Sequence, residues 1–124
     1  MKTGSVFTTA VLLVLASVPP VGHCAEKRPL TNHELTEQAF DEFSEADKKM
    51  NAAYQQLLGI LDDTGKRTLR ESQRKWLAWR DAQAEFDSHH LEGGKLRAME
   101  RNGSLRQTTE TRTAQLLADY KRFN

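Results

Sequence analysis

Four polar side chains interrupt what would otherwise be apolar helical stripes: Gln73, Arg80, Gln83 and Arg112. A charge taken out of water without a partner is costly, so Arg80 and Arg112 each call for a carboxylate or a set of carbonyls. Asp81 adjoins Arg80, and neighbours on a helix do not face each other, so the partner is expected from another helix. Two chemistries compete here. One is a polar active centre; the other is an interhelical clamp of Gln73, Arg80, Asp81 and Arg112 that fixes register. No nucleophile or paired base accompanies these residues, which favours the clamp. Its expected geometry brings Arg112 to Asp81, or to another acid near the same level.

The remaining chemistry-bearing groups are sparse. Asp87, His89, His90 and Glu92 are metal-ligand types, but adjacent histidines on a helix point in different directions and no second cluster completes a ligand set. They read as a solvated helix end. Trp76, Trp79 and Phe86 suit a ligand platform, yet their helical spacing makes them core aromatics first. The sequence has no glycine-rich phosphate loop, metalloprotease histidine pair or serine elbow. The reading is therefore a non-enzymatic protein with no cofactor and no metal. A partner surface is expected at the stretch from Glu92 to Asn102, where Gly93, Gly94, Lys95, Arg97 and Arg101 form a charged, glycine-flanked loop, or else an ordinary solvated connection.

Helices must position these groups. Thr31 with Glu34 three residues on is a capping box. Behind it Leu35, Ala39, Phe43, Ala46, Met50, Tyr54, Leu57 and Leu61 recur at helical spacing. Ser44 with Asp47 repeats the cap pattern, so this segment is one helix or two broken near Ser44. Asp62 to Gly65 form a turn, and a helix from about Lys66 to His89 follows, with Leu69, Gln73, Trp76, Arg80, Gln83 and Phe86 on its stripe. Glu71 and Lys75 are spaced to pair outside. Residues 92–103 read as a loop, after which Ser104 caps a last helix carrying Leu105, Thr109, Arg112, Leu116, Tyr120 and Phe123. The expected fold is all-α, a small bundle of three to four helices with short loops.

The start of the chain addresses it to export. Lys2 precedes an apolar run from Val6 to Val18, which Pro19 and Pro20 end. A spanning helix needs about 20 apolar residues, so the run fits a secretory signal over residues 1–24, cleaved after Cys24. The expected location is the periplasm or the exterior. Cys24 is the one cysteine, and the protein meets a membrane only if that residue is lipidated. Residues 25–124 then form a single domain with 17 basic and 17 acidic residues, which excludes a nucleic-acid reader. Charge is uneven, with nine acids and four bases over residues 26–63 and eight acids and thirteen bases over residues 64–124. The two halves are expected to attract each other within the fold.

The segment from Ala46 to Leu58, ADKKMNAAYQQLL, precedes a stretch from Leu69 to Ala82, LRESQRKWLAWRDA. Together they resemble the LprI-type lysozyme inhibitor family over residues 46–120. The matching motif positions are Leu69, Gln73, Trp76, Trp79, Arg80 and Asp81, with Gly93 and Gly94 and the final Leu105, Thr109 and Arg112. The resemblance implies an exported or lipid-anchored bacterial envelope protein that binds a protein partner, lysozyme or another wall hydrolase. A structural or accessory protein binding another envelope protein or the wall is the alternative. Where members commonly carry two cysteines, this sequence has Ala84 and Ser104, so the disulfide the resemblance implies is lost at both ends.

Overall fold

The computed structural model describes residues 28–124, which form three long helices: α1 (Asn32–Ile60), α2 (Asp63–Ser88) and α3 (Gly94–Phe123). The chain runs up, down and up, so α1 and α3 are parallel. At one end Thr36 on α1 reaches the Lys95 carbonyl on α3, and at the other Leu57 packs with Leu116. The expected signal segment and Cys24 lie outside the described residues. Among those described, no helix is long and apolar enough to cross a membrane.

The helices start where local chemistry satisfies their first amides. Thr31 accepts from the Glu34 N–H while the Glu34 carboxylate accepts from the Thr31 N–H at 2.8 Å, a closed capping box. Asp62 accepts from the Gly65 N–H at 2.7 Å, so α2 begins at Asp63, inside the expected turn. The reversal into α3 uses Gly93 and Gly94 at φ of 39° and 74°, a backbone region costly for any residue with a Cβ.

Each helix shows its buried residues at spacings of three, four or seven, so they share one face. On α1 these are Ala46, Met50, Ala53 and Leu57. On α2 they are Gln73, Arg80, Ala84 and Ser88, and on α3 Leu105, Thr109 and Leu116. This is the pattern of helices meeting at shallow angles along a seam. Alanine and serine at the contact let the axes come close. The apolar centre is Met50, Ala53, Leu57 and Leu116, with Tyr54, Leu61, Leu69, Trp76, Leu77 and Tyr120 packed around it.

Two boundaries differ from the sequence expectation. α1 is continuous through Ser44, because the seam from Phe43 to Met50 carries on without a break and Asp47 is drawn to Arg80 rather than into a cap. α3 starts at Gly94, so residues 94–103 are helix and not loop, and Ser104 lies inside the helix with its hydroxyl bonded to Asp87. In this first stretch of α3, Arg97 and Arg101, one turn apart, both bond Glu85 on α2, a pairing that helical spacing makes possible.

Two consequences can be measured. A Cβ at Gly103 would meet nothing within 4 Å. In a true helix, Gly103→Ala should therefore raise stability by about 1 kcal/mol, read as a higher denaturation midpoint. An unchanged midpoint would mean that the segment is not persistently helical. At the other end, the bond to Arg28, then those to the Thr31 backbone and side chain, lower the Glu34 carboxyl from 4.5 to about 2. A depressed carboxylate stabilises above its unfolded value and loses that contribution as pH falls through the folded one. The α1 cap should hold at pH 5 and loosen between 4.5 and about 2, followed by the Thr31 and Glu34 amide resonances. Glu34→Gln should abolish the titration, and a wild-type midpoint at 4.5 would contradict the cap geometry.

Candidate functional site

Three of the polar residues that interrupt the stripes, Gln73, Arg80 and Arg112, gather at two levels of the bundle, joined by one indole. At the first level Arg80, with only 10% of its side chain exposed, reaches Asp47 on α1 at 3.0 Å and Asp81 on its own helix at 2.9 Å. Its guanidinium lies 5.4 Å from the Phe43 ring centroid and 5.5 Å from that of Trp76. At the second level Arg112 lies 5.7 Å from the same Trp76 ring. Its Nε donates to Gln73 Oε1 at 3.1 Å, and its terminal nitrogens donate to Gln115 and Ser72, each at 3.3 Å. Gln73 in turn points its amide nitrogen at the Met50 sulfur, 2.9 Å away. Burial pulls the Arg112 guanidinium below its ordinary value, with Asp119 opposing.

This corrects two expectations. Asp81 does meet Arg80, because the long arginine side chain curls back to a neighbour that a short side chain could not reach. Asp81 does not meet Arg112, nor does any other carboxylate pair with Arg112 among the described residues. Gln73, level with Arg112, stands eight residues before Asp81, about 12 Å of helix rise. Arg112 is thus held by neutral amide and hydroxyl oxygens.

Trp79 and Phe86 are also not core residues: they are 52% and 66% exposed. The buried seam of α2 runs through Gln73, Arg80, Ala84 and Ser88, and Trp79, Gln83 and Phe86 form a second line beside it, also at helical spacing. Ala84 and Ser88 were missed because small side chains carry little hydrophobic signal, yet both are fully buried.

Two grooves result. Between α2 and α3, Trp76, Trp79, Gln83 and Asp87 face Gln107, Thr108, Thr111, Arg112 and Gln115 across a space of about 450 Å³. Gln83 donates to Asp87 at 2.7 Å, and the Ser104 hydroxyl donates to the other carboxylate oxygen; these bonds, Ser104's first, hold the Asp87 carboxyl below its usual range. Between α1 and α3, Asp41, Glu42, Glu45 and Lys49 face Arg106, Glu110 and Thr113 across about 430 Å³. Of the acids on α1, Glu42 reaches Arg106 at 3.5 Å and Asp47 reaches Arg80, so among the described residues two ion pairs join the two halves.

Of the residues expected in a loop, Gly93 and Gly94 make the reversal, and Lys95, Arg97 and Arg101 stand on the first turns of α3. Arg97 and Arg101 are engaged with Glu85, while Lys95 is exposed. His89 stacks on Phe86 with ring centroids 5.2 Å apart, and His90 meets it edge-on. Among the described residues no group of three or more His, Cys, Asp or Glu is arranged to hold a metal ion.

The family model described as lysozyme inhibitor LprI matches residues 24–116. The chain belongs to the LprI family. The match takes in α1, α2 and most of α3, with both arginine levels and both grooves. The chain is also similar, at 25% identity over 103 residues, to an uncharacterized protein of Rhizobium meliloti (strain 1021), covering 73% of this chain and 74% of that one. No solved structure matches it. Within this LprI domain Ser104 bonds to Asp87, one turn beyond the buried Ala84, so a hydrogen bond ties α2 to α3 near the two positions where cysteines were expected.

The Arg80 geometry predicts a specific non-additivity. Asp47 and Asp81 are 36% and 56% exposed, and either alone can satisfy Arg80. Asp47→Ala and Asp81→Ala should each cost no more than about 1 kcal/mol. The double variant strands a buried cation and should cost roughly 3–5 kcal/mol, well beyond the sum. Additive losses in urea denaturation would show that the two carboxylates do not share Arg80.

Proposed function

We propose that this LprI-family protein is exported to the bacterial envelope, where it binds and blocks lysozyme or another wall-cleaving enzyme. The observation that carries the reading is the family match across all three helices. The charge distribution supports it. The chain as a whole is close to neutral, with a formal net charge of +1, but three acids of α1 fall on one exposed line. Glu37, Asp41 and Glu45 succeed one another at four-residue spacing, all exposed, beside Glu42 and Glu110 at the α1–α3 groove, where these five acids outnumber the neighbouring Lys48, Lys49 and Arg106. Such a strip suits a basic enzyme, steering it and fixing its register more than adding affinity. Rigid helices present it, so little ordering is required on binding.

Titrating the purified protein into lysozyme acting on a wall suspension should lower turnover in a saturable and salt-sensitive way. Replacing Asp41 and Glu45 together with lysine should weaken inhibition by about tenfold or more, while leaving the helical signal unchanged. Undiminished turnover at large molar excess would overturn the proposal for that enzyme.

A further inference from the structure

The α2–α3 groove lies on a different flank from the acidic strip, and its lining calls for a different ligand. Its platform is Trp79, half-exposed on α2 beside the half-buried Trp76. An indole that faces solvent at the edge of a groove offers a flat, electron-rich face to weakly positive C–H groups. Around it stand carboxamides and hydroxyls: Gln83, Gln107, Gln115, Thr108 and Thr111.

The two charges in the groove are already committed. Asp87 accepts from Gln83 and Ser104, and Arg112 donates to Gln73, Gln115 and Ser72. A ligand therefore meets an acid and a base that balance and are internally bonded, which disfavours strongly charged molecules. It also meets no sheet edge to extend a peptide strand and no deep apolar cleft for a hydrophobic helix. What fits is a neutral chain with flat C–H faces and many hydroxyl and amide groups. The groove runs from Trp76 to Asp87 along α2, about 16 Å of helix, so an elongated ligand matches it better than a single ring. Its volume of about 450 Å³ lies within the range of small-ligand sites.

We propose that the α2–α3 groove is a saccharide site, in which Trp79 stacks on a pyranose ring and the surrounding glutamines bind the hydroxyl and N-acetyl groups of an uncharged amino-sugar chain. The network that holds Asp87 and Arg112 preorganises the lining, so the side chains need little rearrangement. Binding here is independent of enzyme inhibition. It would place the protein on a glycan whether or not the acidic strip engages an enzyme.

The test is titration of the full chain with the β-1,4-linked tetramer of N-acetylglucosamine, in the absence of any hydrolase, followed by tryptophan fluorescence and backbone amide shifts. The expected result is a saturable change in emission, with shifts confined to α2 and α3 around Trp79, Gln83 and Gln107. Trp79→Ala should weaken binding by about tenfold, and Trp79→Phe should retain most of it. Because Trp79 is half-exposed, neither change should alter the helical signal, and circular dichroism checks that. Replacing Asp41 and Glu45 with lysine should leave tetramer binding unchanged, which separates this site from the inhibitory strip. The proposal is overturned if millimolar tetramer produces no change, if the shifts map to the α1–α3 groove, or if Trp79→Ala binds as well as the parent. Displacement of the tetramer by an unrelated peptide at lower concentration would likewise reassign the groove to protein binding.

Discussion

The bundle is organised around a cation it cannot easily bury. Arg80 sits on the seam of α2 where an apolar residue would ordinarily pack, and its guanidinium is almost fully withdrawn from water. Desolvating such a group is affordable only when its donors are satisfied and opposite charge is close. Asp47 comes from α1, Asp81 from the same helix, and the faces of Phe43 and Trp76 close the remaining sides. Since α1 and α2 touch each other little by comparison with their contacts to α3, this one side chain does much to set their relative register.

Trp76 extends that constraint to the third helix. Arg80 and Arg112 both approach the same indole, and Arg112 belongs to α3. Its guanidinium is bound by the carboxamide of Gln73, whose other end rests on Met50 of α1. A chain of side chains thus links all three helices through groups whose geometry is directional, unlike the apolar seam beside them. Apolar burial supplies the driving force for collapse, and these bonds select one alignment from several that would bury comparable area. The Thr109 hydroxyl, fully buried with no partner among the described residues, shows that not every polar group in the seam has been accommodated.

The two grooves are products of the same arrangement. With α3 lying between its neighbours, one side of it meets the acidic flank of α1 and the other meets the aromatic flank of α2. The α1 flank is thus the richer in carboxylates, and the α2 flank carries the tryptophans. The two grooves share no lining side chain.

Local sequence determined that the chain is helical, and it fixed the cap of the first helix. The Thr31–Glu34 box is a short-range signal, because the bonds that close it lie within one turn. The same holds for the outward Glu71–Lys75 pair at 3.0 Å. The motif residues of α2, read together with those of α3, also sufficed to indicate the family. Partner choice over longer distances was not legible. Whether Arg80 takes Asp47 or another acid depends on how far α1 slides along α2, which no spacing within one helix encodes. The flank on which Trp79 and Phe86 fall was decided the same way. Two lines at helical spacing run side by side on α2, and only the packing of α3 chose the one with small residues as the buried seam, because small side chains let the axes approach. The start of α3 at the Gly93–Gly94 reversal was hidden because glycines flank loops and helices alike, and the Glu85 that Arg97 and Arg101 bond lies on another helix. Periodicity thus identifies what a helix can bury, whereas the identity of its neighbours decides what it does bury.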